Sequence, residues 1–526
     1  MTIARRALLT AAASTSLLPR LAWSAADPYD VKMSGDVRII HQTDTHANAR
    51  PVHFREPTQN IGVGRAAGQP PHLVGPGRSI LLDGGDLCQG TGIANLTRGQ
   101  NMVALGNLLG IDAMTGHWEF TYGQDGIKAL IKAMHGRFIA QNVFLSAESG
   151  MMGAPAFDQK TGRVFQPSII RELGGYRVGV IGQAFPYVPI AHPRRFTPDW
   201  RFGIHPGRMQ KLVDELRAVQ KVDAVLLLSH NGMPVDLKLA SQVRGIDVIL
   251  GGHTHDAVPH PVPVKNPGGI TLVTNAGTAG KFVAVLDLEL AKGRVREVHY
   301  RLLPIYADQV KQDAAVAAAV EAQEAPHRAM LDERLAETET LLYRRNNFYG
   351  SVDQVIMDAL RAETGAQIAF SPGFRWGNTV LGDGALTMGD LLAETAITYP
   401  MVYNQTMTGA EIKAVMEDVC DNLFNPNPYY QQGGDMIRVG GMNYACAPAQ
   451  SIGHRISAME LDDGTKVEAA KQYTVASWAS VSLPQTGAPV WDVVARHLRQ
   501  VKTVKLTRPN RVKVLGLAGN PGYAVP

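Results

Sequence analysis

A two-domain α/β protein is predicted, and three observations predict it. Short apolar runs that end in Asp, Gly or His recur between Asp36 and Tyr306, with helical patterns among them, which is how an α/β domain reads. The chain has 526 residues, more than one ordinary core holds. A stretch rich in Ala, Glu, Gln and Asp at 307–335 differs from both its flanks and marks a junction.

The elements follow in order. Met1 to Ala26 reads as an export signal: Arg5-Arg6 precede the apolar stretch Ala7 to Leu18, and Ala22-Trp-Ser-Ala-Ala26 offers small residues for cleavage. A membrane anchor needs about 20 apolar residues, which this stretch does not have. Paired arginines suit the twin-arginine route, which carries folded proteins, and an ordinary signal peptide suits them equally. Either way the expected compartment is the periplasm, with no membrane association. Hydrophobic residues make up 45% and charged residues 19%, as in soluble globular proteins. The formal net charge is +4, but Arg5, Arg6 and Arg20 belong to the leader and leave +1, so no nucleic-acid partner is indicated. Three cysteines exclude a disulfide scaffold. Cys420 and Cys446 could pair in an oxidising compartment, while Cys88 reads as a small buried filler.

From 36 to 306 the first domain is expected, with strands at Val37 to Thr43, Ser79 to Asp83, Gly175 to Gly182, Ala224 to Ser229 and Ile246 to Gly252, and a helix from Gly203 to Ala218. Two stretches, Ala49–Pro76 and Pro186–Pro198, read as long loops, and loops of that length are usually functional. A helical junction spans 307–340. The second domain, 341–526, is expected to hold helices at Tyr349–Glu363, Met388–Ala393 and Thr408–Val419, and strands at Ile368–Phe370, Met436–Val439 and Tyr473–Ser477.

Four strands end in residues that bind metals. Asp44 and His46 follow the first, Asp86 follows Gly84-Gly85, His230 closes the fourth, and His253 and His255 close the fifth. Carboxyl ends of strands are where α/β sheets hold their sites. With His117 these residues form two sets that share one bridge: Asp44, His46, Asp86 and His255 for one ion, and Asp86, His117, His230 and His253 for another. Asp-x-His and His-x-His spacings put both side chains on one side of an extended segment. Aspartate with neutral imidazole suits a divalent ion such as manganese, zinc or iron. A two-metal hydrolase site is the reading.

Asp44-Thr-His46, Gly84-Gly-Asp86, Gly116-His-Trp-Glu119, His230-Asn-Gly and Gly251-Gly-His-Thr-His255 resemble the motif series of the calcineurin-like metallophosphoesterases, and within them the 5′-nucleotidase branch. Gly373-Phe-Arg375 and Leu386-Thr-Met-Gly-Asp-Leu-Leu resemble that branch's C-terminal substrate domain. The resemblance implies a metallophosphoesterase β-sandwich flanked by helices, then a helix-joined α/β substrate domain. The departures are informative. Where nucleotidases have Gly-Asn-His-Glu-Phe-Asp, this chain has Gly116-His117-Trp118-Glu119-Phe120-Thr121. The metal-binding Asn has become His117, the acid for the leaving alcohol has become Trp118, and its Asp partner Thr121. The base-stacking Gly-Gly-Asp-Gly region is missing between Trp478 and Trp491.

Without a general acid an alkoxide leaves slowly, since proton donation contributes about 10²–10⁴-fold. A thiolate or persulfide anion is far less basic and needs no proton. The chain resembles most closely the SoxB-type thiosulfohydrolases of the Sox sulfur-oxidation system. Phe54-Arg-Glu-Pro through Gly64, Pro70 to Gly75, Gly116 to Gly123 and Ser371 to Gly377 carry that likeness. It implies a dimanganese centre and hydrolysis of a sulfonate borne on a cysteine of a SoxYZ-type carrier's C-terminal arm. Within it, Arg375 is expected to clamp the sulfonate oxygens and Trp118 to wall the pocket. Tyr122 is expected beside it or in plain packing, His53 and Arg55 at the entrance for the arm or as solvated loop residues, and Asn231 orienting His230 or its substrate or serving as a turn-former. A monomer is expected. The alternatives are a periplasmic 5′-nucleotidase or cyclic-nucleotide phosphodiesterase, and a binder that keeps its metals for structure alone.

Overall fold

The computed structural model describes residues 29–56, 59–64, 77–310, 312–484, 486–507 and 510–516, with backbone alone for 53–56 and 59–64. The expected leader lies outside these residues. The sandwich strands in chain order are β1 (Val37–Gln42), β2 (Ser79–Asp83), β3 (Ala113–Met114), β4 (Arg137–Phe138), β5 (Ser168–Leu173), β6 (Tyr176–Gln183), β7 (Ala224–Ser229), β8 (Val248–Gly251), β9 (Val262–Asn266), β10 (Gly269–Asn275), β11 (Phe282–Ala291) and β12 (Arg294–Pro304). They form two six-stranded sheets, ordered β12-β11-β1-β2-β3-β4 and β9-β10-β8-β7-β6-β5.

Alternation along each strand decides what faces what. Val37, Ile39, Ile80 and Leu82 from one sheet meet Val180, Leu226, Leu228, Val248 and Leu250 from the other in a single buried cluster. The residues between them point outward: Ile40 and Leu81 under helices α1 (Gln100–Leu109) and α2 (Gly123–Ala133), and Val225, Leu227 and Ile249 under α3 (Pro206–Ala218) and α4 (Met233–Gln242). Strands covered on both faces read as unbroken apolar runs, which is why these were legible. The buried Arg38 of β1 is held by Asp287 of β11 through two nitrogens, at 2.7 and 2.8 Å.

Two expectations change. Strand–helix alternation stops after β8, where β9 to β12 follow as antiparallel hairpins without helices. Within 49–76, expected as a loop, Val52–Glu56 and Gln59–Gly64 pair as a hairpin; Ile61 and Val63 carry a two-residue period that the surrounding Pro and Gly obscured. The other long stretch, 186–198, holds only the short helical turns Val188–Ala191 and Arg194–Phe196.

The junction, expected over 307–340, is helical only from α5 (Ala314–Glu324), N-capped by Asp313, to Leu331, with Pro326 forcing a tight turn at Ala325–His327. Arg334–Thr338 is already a strand, paired with Gly384–Thr387 and Thr503–Val504 of the second domain. The second domain adds helices α6 (Ser351–Thr364), α7 (Met388–Thr395), α8 (Gly409–Phe424) and α9 (Val490–Val501). Its strands β13 (Ile368–Ser371), β14 (Val402–Thr408), β15 (Arg438–Gly440) and β17 (Gln472–Trp478) form one sheet in the order β14-β17-β13-β15, with β16 (Met442–Cys446) between β15 and β17 in sequence. Capping boxes, Thr387 with Asp390 and Thr408 with Glu411, start α7 and α8. Among the described residues no helix is long and apolar enough to cross a membrane.

Candidate metal centre

β1 and β2 run parallel, as do β6, β7, β8 and β10, so the carboxyl ends of both sheets open at one end of the sandwich. The segments leaving β1, β2, β3, β7 and β8 there carry the seven expected ligands. Asp44, His46, Asp86, His253 and His255 all have positive φ, between 49° and 70°. Such backbone is costly for residues with a Cβ and persists only where the surroundings hold it, as at functional sites. Gly85, at φ 102°, makes the turn before Asp86; a Cβ there would stand 2.9 Å from His230 Nδ1.

The ligand atoms gather as two sets, Asp44, His46, Asp86 and His255, and Asp86, His117, His230 and His253, the atoms of each lying within 4.8 Å of one another. These are the two sets read from the sequence, with Asp86 in both. Backbone partners decide which nitrogen each ring presents. The Gly84 carbonyl lies 2.6 Å from His230 Nδ1 and the Gln89 carbonyl 3.2 Å from His46 Nδ1, so both Nδ1 atoms carry the proton and both Nε2 atoms face the centre. His46 Nε2 and His255 Nε2 stand 3.1 Å apart, and His117 Nε2 and His255 Nδ1 have no hydrogen-bond partner among the described residues. Lone pairs crowded this closely repel unless cations lie among them, so the donor set fits divalent ions.

Burial pushes Asp86 up, but His230 and His117 outweigh it and hold the carboxyl well below the usual range. Burial opposes charge on His230, yet Asp86 and Asp44 lift it to about 10, so His230 must give up its Nε2 proton to an incoming cation before it ligates. Burial keeps His253 and His255 below their ordinary value, and so neutral and able to ligate. Asp86 is further fixed by the Trp118 amide, which donates to Oδ1 at 2.7 Å.

A cavity of about 230 Å³ opens onto the ligands between the two domains. Trp118 lines it and stacks on Trp376 at 5.5 Å, with Phe374 edge-on at 5.4 Å. Arg375 lines it too, but three of its N–H groups are already engaged, by Asp435, the His253 carbonyl and the Gly434 carbonyl. Tyr122 does not belong to the site: it is buried in the core, its hydroxyl donating to the Cys88 and Ala94 carbonyls. Helix-turn packing carries its side chain away from the cavity that its neighbour Trp118 walls. The Asn231 side chain hydrogen-bonds Asp236 and Gln183. The side chains of His53 and Arg55 lie outside the described residues.

Two residues escaped the sequence reading. Glu119 is buried, and its carboxylate accepts from the amides of Asp86, Leu87, Cys88 and His117, tying two ligand segments together. A glutamate two residues after a ligand was the available signal. His192 packs edge-on against Trp118 at 4.8 Å, with neither ring nitrogen partnered among the described residues and burial holding it down to about 3. It is not among the residues that line the cavity, and its ring centre stands 5.4 Å from that of His117. Nothing in its Pro-rich surroundings set it apart.

The comparisons with known proteins concur. A family profile described as "5'-nucleotidase, C-terminal domain" matches residues 334–492. Among solved structures, the chain is similar to the sulfate thiohydrolase SoxB of Thermus thermophilus in complex with glycerol: 33% identical, with a TM-score of 0.82 and 93% of this chain and 98% of that one covered. It shares the fold of a 5'-nucleotidase precursor from the same organism, at 24% identity, TM-score 0.76, and coverage of 91% and 99%. The trifunctional nucleotide phosphoesterase YfkN of Bacillus subtilis is 24% identical over 480 residues, 82% of this chain. The bovine 5'-nucleotidase is 26% identical over 316 residues, 54% of this chain. The matched regions span 30% and 50% of those two relatives. With a relative 33% identical over nearly its whole length, the chain belongs to the 5′-nucleotidase family, hydrolases with the calcineurin-like phosphoesterase fold.

Proposed function

We propose that the chain is a thiosulfohydrolase that releases sulfate from a cysteine S-thiosulfonate on a SoxYZ-type carrier protein in the periplasm, with two manganese ions at the centre. One observation carries the reading. The position beside ligand His117 is filled by Trp118, and among the described residues of the cavity wall no group outside the ligands is suited to give up a proton. Tyr187 is committed to the Tyr429 carbonyl and pushed up by burial. Asp435 is held below its ordinary value despite burial by Arg345, Arg438 and Arg375. A leaving group that departs as an anion without protonation suits such a wall, and a persulfide is one.

Two divalent ions held there supply an activated water and neutralise charge on the oxyanion. The side chains do the rest. Arg375 keeps two N–H groups for sulfonate oxygens. Trp118, Phe374 and Trp376 give the arm an apolar, water-poor passage. The new S–O bond forms at the terminal sulfonate sulfur as the S–S bond breaks; sulfate departs, and the carrier retains a persulfide while the protons of water pass to solvent. The likeness to the SoxB structure supports the assignment. The nucleotidase relatives support the competing reading, in which the aromatic wall stacks a base.

The experiment offers the manganese-loaded protein AMP and a cysteine S-thiosulfonate carrier in parallel. Sulfate from the carrier and no phosphate from AMP is expected. Phosphate from AMP at ordinary enzymatic rates overturns the proposal.

A further inference from the structure

We propose that the second domain completes the metal centre: the backbone carbonyl of Gln432 holds His253 in the tautomer and orientation that free its Nδ1 for the second ion. The proposal rests on the two-ion reading of the site and is independent of the substrate.

Residues 425–435 leave α8 as a strap laid across the first domain. Lys238 of α4 donates to Asn427 Oδ1 at 2.5 Å, Tyr187 to the Tyr429 carbonyl at 2.7 Å, and Tyr429 to Gln242 Oε1 at 2.7 Å. At the end of this strap the Gln432 carbonyl lies 3.1 Å from His253 Nε2. A carbonyl only accepts, so Nε2 carries the proton and Nδ1 keeps its lone pair. His46 and His230 take their carbonyl partners from the first domain; His253 takes its own from the second. Arg375 adds to the hold through the His253 carbonyl at 3.3 Å, and Arg345 through the Thr254 carbonyl at 3.4 Å. Gly433 lies so close that a Cβ would fall 2.1 Å from His253 Nε2. By linkage, an ion bound at the second site must favour the docked strap in return.

Two adjacent glycines give a matched test. Gly433 and Gly434 have φ of 79° and 80°, so alanine strains both alike, yet a Cβ on Gly434 meets nothing nearer than the Gly373 carbonyl at 3.6 Å. Manganese binding is followed by equilibrium dialysis and by electron paramagnetic resonance, where a spin-coupled pair differs from isolated ions. For Gly433→Ala, second-ion affinity should fall by about 10–100-fold, the usual effect of disturbing a ligand's own partner. The first ion should be retained and the coupled signal lost, while Gly434→Ala should match the unsubstituted chain. Equal affinity in Gly433→Ala, or an equal loss in Gly434→Ala, overturns the proposal. If Gly433→Ala does not fold, Lys238→Ala loosens the strap from outside the cavity. It should weaken the second ion several-fold while sparing the first, and no change overturns the proposal. An unsubstituted chain that takes fewer than two ions instead refutes the two-ion reading, a distinct result.

Discussion

Asp86 serves both ligand sets and accepts from the Trp118 amide, so one carboxylate orients the whole centre. Asp86→Ala should leave neither ion tightly bound, and elemental analysis of the dialysed protein checks this. Turnover should fall by more than roughly 10²-fold, since losing a mere outer partner costs 10–100-fold. Trp118 occupies the position next to His117, and the proposed chemistry rests on it. Trp118→His restores a group able to protonate an alkoxide and should raise phosphate release from AMP by about 10²-fold or more. An unchanged AMP rate would mean that a missing acid is not what suppresses ester hydrolysis. Among these residues, the ligands were legible because Asp and His at strand ends have few other uses in such numbers. Tyr122 and Asn231 were left between a site role and a structural one, and His192 was overlooked, because single polar residues carry no sign of which way they face.

At the scale of elements, strands with both faces buried announced themselves as apolar runs, and α7 and α8 began at Thr residues with an acid three positions on. The hairpins of β9 to β12 were not read: β9 and β12 are half-exposed and alternate weakly, and β11, though largely buried, has no helix following it to frame it. Cys420 of α8 and Cys446 of β16 lie buried as free thiols with sulfurs 3.5 Å apart. An added disulfide oxidant should join them, each bond giving up two hydrogens. Closing that loop should stabilise the chain by about 3 kcal/mol. Urea denaturation of the oxidised and reduced forms checks it, and coincident midpoints would refute it.

Across the whole molecule, Asp435 is the point where the second domain gathers its charge. Arg345 and Arg375 reach it from the cavity side and Arg438 from within, at 3.0 to 3.2 Å. Its pKa is lowered from 3.8, so the stability it contributes is present above that value and is lost as pH falls through the folded pKa. Unfolding free energy should therefore decline below about pH 4. Asp435→Asn should remove part of that decline and cost about 3–5 kcal/mol near neutral pH, as breaking a buried charge cluster does. Denaturant titrations of both proteins across pH test this, and identical pH profiles would refute it.

By itself the sequence determined the fold class and which seven side chains could hold ions, because burial periodicity and ligand chemistry are local properties written in residue type and spacing. Only the tertiary structure decided that Arg375 is largely spent on Asp435 and backbone carbonyls, and that His192 packs against both Trp118 and His117. It alone brought Gln432, far along the chain, to the ring of His253. Those outcomes depend on how two domains close on each other, and a carbonyl, which every residue possesses, leaves no trace in the identity of the residue that offers it.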